Sequence, residues 1–322
     1  MKILYKPHQY SQQRQRDKKV WIYPVLLAMQ AEYYRDHGHD VYWETTTCQV
    51  DKVITEPEDI PFKSLPIPNR MLTHAYDKRY QKYGNYKFHP ATHMMAALDC
   101  WYAKCTFCEW AKKYPKVQTR CVLNVISEID DCIRLGFKEI FDDSGTFPCG
   151  DWLKVFCEEM KDQKHIKLGC NMRIDPDLDF RAMKRAGFRM VLFGVESFNQ
   201  STLDKLNKGI KVEDINTCFQ RASDCGLEPH ASLMTGYPWE SFEQEMNTIR
   251  SVQSLLKKGY AKTAQASVFK VKGYPESDKN IKGRIYDVAY SPSFWINKLK
   301  DIKQWQDFTY LIKSIKKGVI RD

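Results

Sequence analysis

Long apolar runs are missing from this chain. Nowhere in its 322 residues does a stretch of about eighteen uninterrupted apolar side chains occur, so a helical membrane span is not expected. The opening "MKILYKPHQYSQQRQRDKK" turns polar after five residues, which is too soon for a signal peptide and points to a cytoplasmic protein. Glycine-rich phosphate loops, zinc knuckles and RNA-binding aromatic signatures are also absent, so no nucleotide or nucleic-acid class is selected by motif. With no leader, the eleven cysteines read as reduced thiols and metal ligands rather than a disulfide framework.

A hydrophobic content of 43% is ample for a core, in one large domain or one plus a small appendage. Cys121, Cys132, Cys157, Cys218 and Cys225 fall in helix-like stretches and read as small core hydrophobes. Cys100, Cys105 and Cys108 differ: in "CWYAKCTFCEW" they stand at ligand spacing among aromatic residues. Zinc, an iron–sulfur cluster or mere packing could each explain them. Structural zinc wants a closed set of four ligands, and Cys149 or His93 would have to complete it.

Periodicity gives the frame. "HMMAALD" (93 to 99) reads as a buried strand ending at the cysteine loop, and Val122, Val125, Ile126, Ile129 and Ile133 recur at helical spacing before Gly136. The pattern repeats. "KEIFDDSG" precedes a helix from about Asp151 carrying Trp152, Val155, Phe156 and Met160; "IKLGCNM" precedes one from about Asp177 to Gly187. "RMVLFGVES" is followed by a helical pair over about 200 to 226, and "HASLMTGYP" by a helix from about Ser241 to Lys257 that leads to "AQASVFK". Six such units predict an α/β fold with parallel strands and right-handed crossovers, an open, partial (β/α)6 TIM-type barrel. Ligands bind at the C-terminal strand ends in such folds, where the cysteine loop, Asp142, Asp143, Arg173, Glu196 and Gly236 would share one mouth.

From about residue 90 to 275 the chain resembles the radical S-adenosylmethionine (SAM) enzymes, most closely the branch that usually carries an N-terminal cobalamin-binding domain. The resemblance rests on "CWYAKCTFCEW", "EIFDDSGTF", "MRIDPDLDFRAMKRAGFRMVLFGVESFNQSTLDKLNKG" and "LMTGYPWES", in the family's order. The four residues between Cys100 and Cys105 exceed the family's commonest spacing by one. The resemblance implies a [4Fe–4S] cluster on Cys100, Cys105 and Cys108, with the fourth iron open to SAM, and an electron donor such as flavodoxin or ferredoxin. Reductive cleavage of SAM would then yield a 5′-deoxyadenosyl radical that takes a hydrogen atom from the substrate.

The same resemblance places Phe107 near the adenine of SAM, Asp142, Asp143 and Ser144 near its amino group, Glu196 at the ribose hydroxyls and Arg173 at the carboxylate. Gly236 in "TGYPWE" would let the backbone pass under the adenine, with Pro238 stiffening the turn and Glu240 opening the next helix. Other readings stay open. Asp142 and Asp143 also suit loop and helix caps, Glu196 a turn residue paired with a lysine, and Arg173 a brace for Asp175 or Glu196.

Residues 1–65 read as strand "KILYK", a helix from about Pro24 to His37 and strand "DVYWE", then a linker, resembling a shortened cobalamin domain. So short a unit cannot complete a five-strand corrin-binding sheet, so loss of cobalamin is expected, with cobalamin-dependent methyl transfer as the alternative. Residues 66–275 would be the barrel and 276–322 a basic helical extension. From Lys257 onward fifteen Lys and Arg face six Asp and Glu, in a chain of net charge +10. There Phe294, Trp295, Leu299, Ile302, Trp305, Phe308, Ile312 and Ile315 predict a docked stripe, with Lys298, Lys300, Lys303, Lys313, Lys316 and Lys317 outward, a solvated face or a site for an anionic substrate or partner. A function of another class, a non-catalytic metal-stabilised protein that binds an anionic partner, fits the same composition.

Overall fold

The structure, a computed structural model, describes residues 1–7, 22–82, 85–114, 116–270 and 282–318. At the N-terminus β1 (Lys2–Tyr5), α1 (Val25–Asp36), β2 (Asp40–Trp43) and β3 (Lys52–Ile54) form a small parallel sheet of order β2-β1-β3. Its third strand was not expected from the sequence; "KVI" is too short to show a period.

The main sheet begins with β4 (Ala91–Met94), and here the sequence reading needs correction. The apolar run 93 to 99 is not one strand: after Met94 the chain leaves the sheet, and β5 (Ala97–Leu98) pairs antiparallel with β6 (Gln118–Thr119), flanking the short α2 (Glu109–Lys113). Both halves are buried, so composition alone could not mark the break. The units that follow are α3 (Val122–Arg134), β7 (Glu139–Asp142), α4 (Asp151–Glu159), β8 (Lys167–Met172), α5 (Phe180–Arg185) and β9 (Phe188–Glu196). Then come α6 (Gln200–Lys205), α7 (Val212–Asp224), β10 (Glu228–Thr235), α8 (Phe242–Lys258) and β11 (Thr263–Val268). The six-stranded sheet has order β11-β10-β9-β8-β7-β4 and every neighbouring pair is parallel. Among the described residues no pairing joins β11 to β4, so the barrel is open, as expected.

Local chemistry sets the boundaries. Ser241 caps α8 in a capping box with Gln244, and Gly259, at φ 77°, ends the helix. Asp179 accepts the Ala182 amide, which starts α5 at Phe180 rather than near Asp177. Val155 and Cys121, expected in the core, are exposed.

Alternation assigns the faces of the sheet. Val191, Phe193, Val195, Ala231 and Leu233 belong to the core beneath the helices. Met190, Leu192, Gly194 and Glu196 of β9, and His230, Ser232 and Met234 of β10, therefore line the inner side. At its N-terminal end the sheet is tied by ion pairs: Arg189 to Glu139 and Glu228, and Lys87 to Glu228 at 2.7 Å and to Asp307. Burial works to raise the Glu228 carboxyl, but Arg189 and Lys87 outweigh it and hold it down to about 2.

Those pairs also locate the C-terminal segment, α9 (Pro292–Lys300) and α10 (Trp305–Gly318). Asp307 meets Lys87, Lys298 donates to the Lys262 carbonyl just before β11, and Lys262 pairs with Asp301 at 2.9 Å. The basic segment is thus anchored at the end of the sheet opposite the cysteine loop. Two expectations fail there. Lys298 turns inward, its pKa lowered to about 8 by burial, and Leu299, Trp305 and Phe308 of the predicted buried stripe are exposed. The side chains of Lys313, Ile315, Lys316 and Lys317 lie outside the described residues.

Candidate active site

The cysteine loop follows β5 through Asp99 and Ala103, both at positive φ (74° and 47°), and Cys108 leads into α2. Cys100, Cys105 and Cys108 are free, half-buried thiols. A turn over residues 206–209 clasps the loop: Thr106 N donates to Leu206 O at 3.0 Å, Tyr102 Oη to Asn207 O at 2.9 Å and Asn207 Nδ2 to Lys104 O at 2.9 Å. Gly209, at φ +62°, lies against Tyr102, whose hydroxyl would be 2.2 Å from an added Cβ. Only glycine fits there. On the other side Gly145 lets the loop after β7 approach the Asp99 and Cys100 backbone, 3.2 Å from an added Cβ.

Arg173, one step past β8, is buried beneath this loop. Its guanidinium lies 3.6 Å from the Tyr102 ring centre, Nη2 donates to Lys208 O, and Nη1 is 3.9 Å from Cys105 Sγ. It braces neither Asp175 nor Glu196. Lys208, to which the sequence reading gave no role, is the second buried cation: its Nζ is 2.8 Å from Glu196 Oε1 and 5.8 Å from the Phe107 ring centre. Gly194 makes room for that pair, since a Cβ would stand 2.9 Å from both charged atoms. Burial raises the Cys105 thiol, and Lys208 and Arg173 act against that rise. The signal for Lys208 was present in "LNKG", but a lysine after a helix is ordinarily solvated.

The two neighbouring aspartates have diverged. Asp142, fully buried, accepts the Ala96 amide at 2.7 Å and the Ser144 amide at 3.0 Å, and Ser144 Oγ accepts the Ala97 amide at 2.9 Å. Asp142 and Ser144 therefore spend their side chains on holding β5 and the loop, the capping alternative. Asp143 alternates onto the inner face, and no donor among the described residues reaches its carboxylate. Burial, then the Asp142 charge, pushes it up to about 7; burial likewise lifts Asp142 to about 6.

Phe107 joins Leu206, Met234, Tyr237, Trp239 and Phe269 in an aromatic cluster beside Glu196. Tyr237 stacks on Trp239 with centroids 5.3 Å apart, and Gly236, at φ +78°, donates its amide to Glu245 Oε1 at 2.8 Å. Glu240 does not open the helix. It is buried and accepts from Thr202 Oγ1 at 2.6 Å and Ser197 Oγ at 2.9 Å.

The donor set can be tested against each metal reading. One zinc ion draws all its thiolates to about 2.3 Å from a single point. A cluster binds each thiolate to a different iron and asks for spread ligands. The proposed fourth zinc ligands are engaged elsewhere: His93, on β4, meets Tyr86 and Phe141, and Cys149 Sγ lies 3.4 Å from Phe147 O and 3.7 Å from Met172 Sδ. Cys105, with the Arg173 guanidinium 3.9 Å from its Sγ and the Lys208 charge acting on it, suits a ligand of an anionic iron–sulfur cluster.

Comparison with known proteins agrees with this geometry. The radical SAM superfamily pattern matches residues 99–252. A putative methylthiotransferase of Methanocaldococcus jannaschii is 28% identical over 154 residues, covering 42% of this chain and 33% of that protein. The heme chaperone HemW of Bacillus subtilis is 32% identical over 76 residues, 23% of this chain and 20% of the relative. The chain thus spans about a third or less of the curated relatives it matches. Among solved structures, the cobalamin-dependent SAM radical enzyme OxsB superposes with TM-score 0.50 over 84% of this chain and 42% of that one, at 16% identity, a likeness of fold alone. Residues 99–252, opening at the cysteine loop, are therefore a domain of the radical SAM superfamily.

Proposed function

We propose that this chain is an enzyme that holds a [4Fe–4S] cluster on Cys100, Cys105 and Cys108 and cleaves SAM reductively to modify a substrate. The clasped loop carries this reading: three thiols, two buried cations, Glu196 and an aromatic cluster meet at the C-terminal end of one sheet. When bound, the cluster supplies the electron that breaks the sulfonium bond. The chain's own residues position the cosubstrate. Asp143 accepts the SAM ammonium, Glu196 the ribose hydroxyls, and the Phe107 cluster with the Gly236 turn covers the adenine. Arg173 is committed to the Tyr102 ring and the Lys208 carbonyl, so Lys208 is the cation left to meet the SAM carboxylate once Glu196 turns to the ribose.

Anaerobic reconstitution should bind about four irons with sulfide, and alanine at any of the three cysteines should abolish this. Dithionite-reduced protein should convert SAM to 5′-deoxyadenosine, and Glu196→Ala should weaken that conversion at least tenfold with iron content intact. One tightly held zinc in place of iron would sink the reading.

A further inference from the structure

Between the ion pairs at the bottom of the sheet and the charged mouth, the inner wall carries no charged side chain among the described residues. Alternation puts Asn171, Leu192, His230 and Thr263 at one level and Gly194, Ser232 and Gln265 at the next, with registers Leu192↔His230↔Thr263 and Gly194↔Ser232↔Gln265. Ala264 and Ala266 pack on the core side of β11, which fixes Thr263, Gln265 and Ser267 inward. Two polar rungs cross from β10 to β11: His230 Nδ1 meets Thr263 Oγ1 at 2.7 Å, and Gln265 Nε2 donates to Ser232 Oγ at 3.4 Å.

Three features single out this wall. His230 is only 5% exposed, yet its Nε2 has no partner among the described residues. A buried polar atom left so is unfavourable and is relieved by a hydrogen-bonding ligand. Its burial holds the imidazole down to about 4, so it is neutral in ordinary buffers and offers hydrogen bonds rather than charge. Gln265 above it is exposed on the open edge strand, where an incoming molecule meets it first. Among the described residues, Arg173 and Lys208 are engaged at the mouth, and the C-terminal helices are anchored at the opposite end.

We infer that the β10–β11 wall binds the substrate, and that this substrate is a neutral molecule presenting amide or hydroxyl groups to Gln265, Ser232 and His230. The inference rests on the proposed SAM chemistry for its place in the reaction, but the binding surface stands on its own geometry.

The test uses anaerobically reconstituted protein with SAM and an extract of cells grown in deuterated medium, separated by anion and cation exchangers into anionic, cationic and neutral pools. Two signals are followed: small molecules co-eluting with the protein on gel filtration, and deuterium transferred into 5′-deoxyadenosine, both by mass spectrometry. The neutral pool should give both. Gln265→Leu, at an exposed site that does not threaten folding, should raise the half-saturating amount of the neutral pool about tenfold. His230→Leu should do the same, and His230→Gln, whose amide reaches towards the Nε2 position, should be milder. A histidine that only packs would favour leucine over a buried glutamine, the reverse order. Signals from a charged pool, none from the neutral pool, or wild-type saturation by Gln265→Leu and His230→Leu would overturn the inference. If the wild type makes no 5′-deoxyadenosine, the SAM reading falls and co-elution alone decides this one.

Discussion

Asp143, the proposed acceptor of the SAM ammonium, works against the stability of the protein that carries it. Its carboxyl stands at about 7 in the fold against an ordinary 3.8, so between those values the folded protein keeps a proton that the unfolded chain has released. The stabilising contribution is complete below the unfolded value and is lost as pH rises through 7; Asp142, raised to about 6, adds in the same sense. Asp143→Asn removes the half-buried charge, so at pH 8 the variant apoprotein should melt a few degrees above wild type, and the gap should close by pH 5. SAM binding should move the other way. An ammonium needs the ionised form, so affinity by calorimetry on reconstituted protein should fall between pH 7.5 and 6, and the variant should bind weakly at both. A wild-type affinity flat across that interval would remove Asp143 from the ammonium site.

At the scale of elements, what the sequence makes legible depends on whether a residue's role is set by its own period or by a distant partner. Alternation and helical spacing identify the six main strands and their helices because each buries a continuous face. They miss the end of β4 at Met94, where burial continues after the ladder stops, and they misplace Leu299, Trp305 and Phe308, whose spacing is right but whose face is left exposed among the described residues. The site divides likewise. Cys100, Cys105 and Cys108 are evident from spacing, whereas Lys208 acquires its role only because the 206–209 turn crosses a loop about a hundred residues earlier.

That clasp is open to a direct test. Gly209→Ala must accept a left-handed backbone, at roughly 1–2 kcal/mol, and push the Tyr102 hydroxyl aside. Iron should then leave the reconstituted variant several-fold faster under chelator challenge, with the far-ultraviolet circular dichroism unchanged. Tyr102→Phe, which keeps the ring against Arg173 and loses only the bond to Asn207, should lie between the variant and wild type. Equal iron loss from all three proteins would mean that the turn does not hold the loop.

Across the whole molecule the open question is the N-terminal sheet, because the structural likeness to OxsB extends over most of the chain. In an open parallel sheet, ligands sit beyond the C-terminal strand ends at the point where strand order reverses, here between β1 and β3. That row consists of Tyr5, Trp43 and Ile54, all buried, with Tyr5 and Trp43 stacked at 5.8 Å. Among the described residues this row is closed by packed side chains, and Arg70 with Glu128, a fully buried pair, fastens the segment after this sheet to α3 as a structural joint. A row packed in this way predicts that cobalamin does not bind. Hydroxocobalamin at micromolar concentration should leave no corrin absorbance after desalting, with or without SAM, and reconstituted protein should form 5′-deoxyadenosine at the same rate in its presence. Stoichiometric retention would mean that the row opens in solution. Methyl transfer would then become the leading reaction, and Trp43→Ala, by clearing the row, should tighten corrin binding while lowering the melting temperature.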